Sequence, residues 1–408
     1  MSGDKKTLLI ISGGIEAADA AKRAKEMGYN VVVSDRDPEA PGFAFADSCL
    51  IADVYGASET AAAAERYHRK IRRIDGVICV AADAPVTAAT VAQRLRLPGL
   101  PVHVAELACD KLAMKNCFFK AGVNVPWFAE IRTVQDLQRI AVEHGSDLVI
   151  KPVDSRGSRG VQRVAQVQDL NKAFLLARSH SPTERVMVEK YLPGPQVSTE
   201  SIVTGGRCFT PGFSDRNYEY LERYAPFFIE NGGDLPSHLP EETQAKVRDL
   251  VARAASAMGV TDGTVKGDIV VHNGEPYVIE LAARLSGGFF CTREIPLNTG
   301  VDFIGAAIKV ALGEPVSEAE LTPKSFTPVI QRYAFPAPGK VVEISGADAA
   351  RAVPGIADVV VTAKTGDVIP PAGDKRPSAA MVLATGTSRE AALAAANDAL
   401  AAIRIRTA

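Results

Sequence analysis

The sequence is short of the features that mark membrane, disulfide-bonded, zinc-dependent or nucleic-acid-binding proteins. No run of about 18 apolar residues occurs, so no membrane-spanning helix is expected. The apolar run near the N-terminus is too short for the core of a signal peptide. The six cysteines (Cys49, Cys79, Cys109, Cys117, Cys208 and Cys291) are scattered, and none forms a CxxC pair. That excludes a zinc knuckle and a disulfide framework and points to a reduced, cytoplasmic chain. The six histidines show no HxxH or HExxH spacing. Lysine and arginine number 46 against 48 aspartates and glutamates, a net charge of −2, so neither a nucleic acid nor a membrane surface is the expected partner. Two phosphate-binding signatures are also missing. The first turn reads SGGIEAAD rather than GxGxxG, which argues against a bound dinucleotide, and no GK[ST] follows a glycine-rich loop.

A chain of 408 residues is too long for one simple core, and two or three domains are expected. In the first hundred residues, short apolar runs (7–11, 30–34, 76–80) alternate with helical stretches (16–27, 58–73). That alternation predicts parallel βαβ units in a Rossmann-like sheet. Past Leu97-Pro98-Gly99-Leu100-Pro101 the pattern changes. Helical sequence over 104–121 leads to strands near 127–131, 147–151, 186–189, 197–203 and 207–213. The stretch 214–240, rich in aromatics, glycine and proline, reads as a long loop, and loops of that length in compact domains are usually functional or disordered. A long helix is predicted over 241–258. Mixed strands and helices follow from about 322, ending in a helix over 388–403. The expected fold class is α/β and α+β, multidomain.

The stretch VKGDIVVHNGEPYVIELAARLSGGFF carries the strongest chemical signal. Asn273-Gly274 between two β-forming runs predicts a hairpin that brings Asp268 near Glu280, with Arg284 four residues on. Two carboxylates beside a guanidinium suit Mg²⁺, which shares its oxygen ligands with substrate phosphates. A surface hairpin with a structural ion pair would look similar. Upstream, LVIKPVDSRGSRGV reads as a buried strand ending in Lys151, followed by a glycine-rich loop. A lysine there can meet a phosphate as a point charge, and the loop's N–H groups can wrap its oxygens. A polar hairpin with a solvated lysine is the plain alternative. VEKYLPG is a strand stopping at a Pro-Gly turn, where exposed backbone can pair with a purine edge. The Ala-Met-Lys string at 113–115 lies in a helix, which excludes a biotin-acceptor hairpin.

In their order along the chain, these pieces resemble the ATP-grasp superfamily, in particular its L-amino acid ligase and carboxylate–amine ligase branch. Asp110-Lys111 followed by AGVNVP is similar to the family's first ATP lysine, and Lys151 to its second. The resemblance assigns Ser155, Gly157, Ser158 and Gly160 to the phosphate loop and Glu189, Lys190, Tyr191 and Leu192 to the adenine hinge. Gln196 falls where an acidic ribose contact is common. Asp268 and Glu280 fall at the Mg²⁺ ligands, and Arg284 and Lys151 are the expected catalytic cations. Two departures stand out. The first metal carboxylate is commonly Glu but here is Asp268. The pattern E-x-N-x-R reads Glu280-Leu281-Ala282-Ala283-Arg284, so Ala282 supplies no ligand.

The resemblance implies a Rossmann-like domain at 1–103, an ATP-grasp domain at 104–321 with a small lid subdomain near 115–190, and an α+β domain at 322–408. It implies ATP and Mg²⁺ as cofactors and small-molecule carboxylate and amine substrates, joined through an acylphosphate. Homodimers are common in that superfamily. Enzymes that activate bicarbonate or formate are the second reading, and a non-catalytic nucleotide-binding protein the third. Asp83, Arg216, Arg293 and Arg332 are further candidates for holding a substrate carboxylate or amine.

Overall fold

The computed structural model describes residues 5–374 and 377–408. Its first unit is a four-stranded parallel sheet in which Thr7–Ile11 lies between Asn30–Asp35 and Gly76–Cys79, with Ser48–Ile51 at the edge. Thr7–Ile11 is buried at every position, as expected of a strand covered on both faces. Helices Ile15–Glu26 and Ala57–Lys70 connect strands of this sheet, and Pro85–Leu95 follows its last strand. Gly13 closes the first turn where a Cβ would come within 2.7 Å of the Ala40 Cβ. The turn therefore serves tight packing, consistent with the missing dinucleotide fingerprint.

The helices expected over 104–121 are Val102–Cys109 and Lys111–Lys120. Asp110 separates them by capping the second, its side chain accepting the Ala113 N–H at 2.8 Å. A small antiparallel sheet follows, in the order Phe128–Ile131, Val186–Lys190, Leu148–Pro152, Gln162–Arg163. Helices Val134–His144 and Leu170–Ser179 pack on it around Leu137, Ile140, Phe174 and Ala177.

The largest sheet has eight strands: Glu275–Ala282, Gly263–His272, Gln196–Thr204, Arg207–Arg216, Gly233–Leu235, Val329–Ala334, Ala380–Thr385 and Ile356–Val361. It runs without a break from the carboxylate hairpin into the C-terminal region. The predicted loop 214–240 is correspondingly shorter. The strand Arg207–Arg216 extends into it and Gly233–Leu235 joins the sheet, which leaves 217–232 and 236–240 irregular. Helix Glu241–Met258 backs the hairpin end. It buries Val247, Leu250, Val251, Ala254, Ala255 and Met258 at helical spacing against Val265, Ile269, Val278 and Leu281. Each fully buried Val, Leu or Met there contributes about 1.5–3 kcal/mol. That packing fixes one face of the hairpin and leaves the other to the cleft.

Candidate active site

The hairpin turns as its sequence predicts. Asn273 and Gly274 have φ of 52° and 81°, and His272 faces Glu275 across a two-residue turn. In simple register, which holds as far as Ile269 opposite Val278, Asp268 would face Ile279 and Glu280 would point into the core. A β-bulge shifts the register at that point, so Asp268 pairs with Glu280. The burial pattern records the shift: Pro276 and Val278 face inward before it, Leu281 and Ala283 after it. Both carboxylates thereby line the same cleft, with Lys266, Val270 and Ala282 on the same face.

The two acids have different neighbours. Asp268 meets the Arg216 guanidinium at 2.7 Å and also pairs with Lys266. Burial would raise its carboxyl, but these cations hold it well below the usual carboxylate range. Glu280 meets the Lys111 ammonium at 3.3 Å and is the more exposed of the two. Lys111 also donates to the Ser155 carbonyl at 2.6 Å, which ties the phosphate loop to the hairpin. Two carboxylates, without a third acid or a histidine, suit a Mg²⁺ ion that completes its octahedron with phosphate oxygens and water. Among the described residues no group of three His, Cys, Asp or Glu side chains could hold a metal alone.

Lys151 is buried, and its ammonium pairs with Glu189 on the neighbouring strand. Lys115 contacts the other oxygen of Glu189 at 2.8 Å, with no exposed side-chain surface. Burial works against Glu189's charge, yet the two ammonium groups hold its carboxyl below the usual range. Burial lowers the Lys115 ammonium, and Glu189 opposes that effect. One carboxylate thus orients two lysines, of which Lys151 lines the cleft and Lys115 lies behind it, fully buried.

Ser155, Gly157 and Ser158 line that cleft with Lys111, Lys151, Glu189, Lys190, Tyr191, Leu192 and Gln196. Gly160, expected in the phosphate loop, lies outside it. Its backbone has φ of 74°, and a Cβ there would come within 3.2 Å of Ala177 and Pro152, so packing accounts for it. Arg156 ties the loop to the first unit, donating to the Asp83 carbonyl at 3.3 Å and lying over the Tyr55 ring. The amides of Lys190 and Tyr191 donate to Trp127 O and Asp147 O at 2.8 and 2.9 Å, and the Lys190 ammonium reaches His144 O at 3.0 Å. A purine edge at this hinge would therefore meet its carbonyls and Leu192, since those donors point elsewhere.

Beyond the carboxylates the cleft continues into two cavities of about 180 and 230 Å³ that share Arg216, Glu230 and Lys266. The first adds Asp83, Ala282 and Arg284, the second Ser198, Ser214, Ser286, Glu294 and Gln331. Arg284 grips Asp83 with two nitrogens, the Nε contact at 2.6 Å. Of the other candidates, Arg293 pairs with Asp19 and Asp358, and Arg332 with Asp234 at 2.6 Å, both outside these cavities. The aromatics of segment 217–232 divide: Tyr218 and Phe228 line the cleft that holds Lys111 and Lys151, while Tyr220 and Tyr224 pack on Phe335. The segment is also tied to the small sheet through Arg163 N to Pro226 O at 2.9 Å.

Sequence reasoning missed Lys115, Lys266, Glu230 and Glu294. Lys266 was findable, because it stands two residues from Asp268 on one strand and must share its face. Lys115 sits four residues after Lys111 on one helix, which also implies a shared face. Glu230 and Glu294 gave no local signal.

Residues 108–288 match the family of ATP-grasp domains, and residues 332–408 match L-amino acid ligase C-terminal domain 2. The chain is 27% identical over 398 residues to the uncharacterized protein y4rH of Sinorhizobium fredii, covering 95% of this chain and 80% of that one. It is 29% identical over 191 residues to the D-alanine–D-alanine ligase of Desulforudis audaxviator, covering 45% of this chain and 60% of the ligase. The crystal structure of L-amino acid ligase from Bacillus licheniformis superposes with a TM-score of 0.83 at 22% identity, over 100% of both chains. That last likeness is one of fold.

Proposed function

On the premise that the chain belongs to the ATP-grasp superfamily, we propose that it is an ATP-dependent carboxylate–amine ligase that releases ADP and phosphate. One observation carries the reading: Asp268 and Glu280 line both the cleft and the 180 Å³ cavity beside it, and that cavity shares Arg216, Glu230 and Lys266 with the 230 Å³ one. A nucleotide whose base lies at Glu189–Leu192 would bring its terminal phosphate to those two acids.

A substrate carboxylate oxygen attacks the γ-phosphorus, the bond to the β–γ bridging oxygen breaks, and ADP leaves. An amine then adds to the acylphosphate carbonyl, loses a proton, and displaces inorganic phosphate to leave an amide. Such phosphoryl transfer depends mainly on positioning and on neutralising charge. Lys151, oriented by Glu189, and Lys111, beside Ser155 and Glu280, supply fixed positive charge along the phosphates. Arg284, steadied by Asp83, supplies it at the acyl end. Asp268 and Glu280 would hold Mg²⁺, which when bound offsets charge on the phosphate oxygens. The mixed lining of the larger cavity, with Arg216 and Lys266 beside Glu230 and Glu294, suits a small molecule bearing both a carboxylate and an ammonium. Segment 217–232, spanning the small sheet and the C-terminal strands, serves as a cover that keeps water from the acylphosphate.

The test is phosphate release from ATP with an amino acid mixture, with bicarbonate, or with neither. Release that needs amino acids, with a matching amide product, is the expected result. Release with bicarbonate alone would replace this reading with a carboxylase, and release that needs no added acid would remove it.

A further inference from the structure

The loop 286–289, two residues past Arg284, is held from three directions. Glu16, in the first turn of Ile15–Glu26, accepts the Gly288 N–H on one carboxylate oxygen and the Phe289 N–H on the other, both at 2.8 Å. Glu200, on the central strand Gln196–Thr204, accepts the Ser286 N–H at 3.1 Å. Gln331, on Val329–Ala334, donates its side-chain amide to the Gly288 carbonyl at 2.5 Å. Side chains from the first unit, the central sheet and the C-terminal strands therefore converge on four residues. Ser286, Gly287 and Gly288 in turn wall the 230 Å³ cavity.

The loop backbone needs such support. Phe289 has φ of 63°, a conformation that costs a non-glycine residue energy and persists only where its surroundings enforce it. Gly288 also lies at positive φ, 75°, and a Cβ there would come within 3.2 Å of the Tyr333 hydroxyl. The paired bonds to Glu16 hold the two amides that define this bend.

We propose that Glu16, together with Glu200 and Gln331, is a positioning residue for the acceptor cavity, fixing loop 286–289 so that its wall and the neighbouring Arg284 stand in place for ligation. The assignment of the cavity to an acceptor rests on the ligase reading above, whereas the hold on the loop does not. The Glu16 residue is partly exposed, but its carboxylate is enclosed, and that burial pushes it up to about 7 against the two amide bonds. Asp19 from its own helix and Arg293 from Phe290–Glu294 also face it. Burial likewise pushes Glu200 up to about 7, with Ser286, Arg284 and Lys266 opposing and Cys291 alongside. Protonation turns one accepting oxygen of Glu16 into a hydroxyl, a poor partner for an N–H donor.

The experiment compares wild type with Glu16→Gln, Glu16→Asp and Gln331→Leu. In Glu16→Gln the KM for the acceptor should rise about tenfold, the scale of one hydrogen bond to a charged group, with the KM for ATP unchanged. Gln331→Leu, which releases the loop from the opposite side, should show the same split, and Glu16→Asp should recover part of the loss. The wild-type acceptor KM should rise as pH falls through about 7, with a shallower rise in Glu16→Gln. Amide exchange at Gly288 and Phe289, corrected for intrinsic rates, should speed up in Glu16→Gln while the melting transition stays cooperative. A folded Glu16→Gln with unchanged exchange at these amides, or with equal changes in both KM values, would overturn the proposal. Should wild type ligate no amine at all, the ligase reading falls, and the exchange measurement still decides the hold on the loop.

Discussion

At the end proposed for the nucleotide, the cleft is made from short stretches that each supply several neighbouring residues: Lys151 to Ser158, Glu189 to Leu192, Asp268 and Glu280 on one hairpin. At the end proposed for the acceptor, Arg216, Glu230, Lys266, Ser286, Glu294 and Gln331 come from different segments, with Arg216 paired to Glu230 and to Asp268. The first end is built by local backbone geometry, the second by packing between units. A substitution at the first should mostly change phosphate chemistry. At the second it should change the fold and the reaction together.

The sharpest way to break that distinction is at the junction itself. Glu280→Gln should lower Mg²⁺-dependent phosphate release by on the order of 10²–10³ with little change in melting temperature, since Glu280 is partly exposed and has one cationic neighbour. Asp268→Asn should also slow turnover, but it leaves Arg216 and Lys266 short of their anion and should cost stability of about 3–5 kcal/mol. Parallel denaturation and phosphate assays check both. Equal stability in the two variants would show that Asp268 belongs with the nucleotide end.

The two lysines paired with Glu189 give the next largest effect. Lys151→Ala should weaken ATP binding about tenfold or more by calorimetry, because a fixed positive charge is lost from the phosphate path. Lys115→Met should instead appear first as instability, because half of the charge balancing the buried Glu189 is gone. ATP affinity unchanged in a folded Lys151→Ala would remove that lysine from the site.

A pH titration separates the ends further. Glu16 and Glu200 have folded values near 7, above the ordinary 4.5, so the folded chain holds more protons between those limits. Their contribution to stability is greatest below pH 4.5 and is lost as pH rises through 7, by up to about 3 kcal/mol each. Glu189 and Asp268 are shifted down and act with the opposite sign, losing their contribution as pH falls below the ordinary carboxylate range. Chemical denaturation from pH 5 to 8 should show a downward slope that Glu200→Gln flattens. A slope unaffected by that substitution would mean that Glu200 is not the group titrating.

The smallest expected effect tests the local end alone. Gly274→Ala places a Cβ at φ of 81°, in open space, and should cost about 1 kcal/mol with kcat retained.

How legible each region was follows from the same contrast. The βαβ alternation, the carboxylate hairpin and the strand-end lysine are patterns of neighbouring residues along the chain, and each formed where the sequence placed it. The helix that opens at Asp110 also formed where the sequence placed it, with Asp110 as its cap. The loop at 214–240 was drawn too long because Gly233–Leu235 is a three-residue strand, recruited by the neighbouring Val329–Ala334 and carrying little pattern of its own. Gly160 was assigned to phosphate by its place in a glycine-rich string, but its conformation answers to Ala177. Of the lining of the 230 Å³ cavity the sequence offered only Arg216, because nothing near Glu230 or Glu294 in the chain indicates that Arg216 and Lys266 will be brought beside them.

The bulge in the hairpin has a consequence for any attempt to transplant or align this site. A two-residue turn makes facing residues differ by an odd number of positions, three for His272 and Glu275 and nine for Ile269 and Val278. Asp268 and Glu280 differ by twelve, an even number. The spacing therefore acts as a parity bit. A relative lacking one residue of this strand could keep both acids in a gapped alignment and still send one of them into the core. A graft onto a regular hairpin would fail in the same way, and a second one-residue insertion would restore function where a conservative replacement of either acid could not.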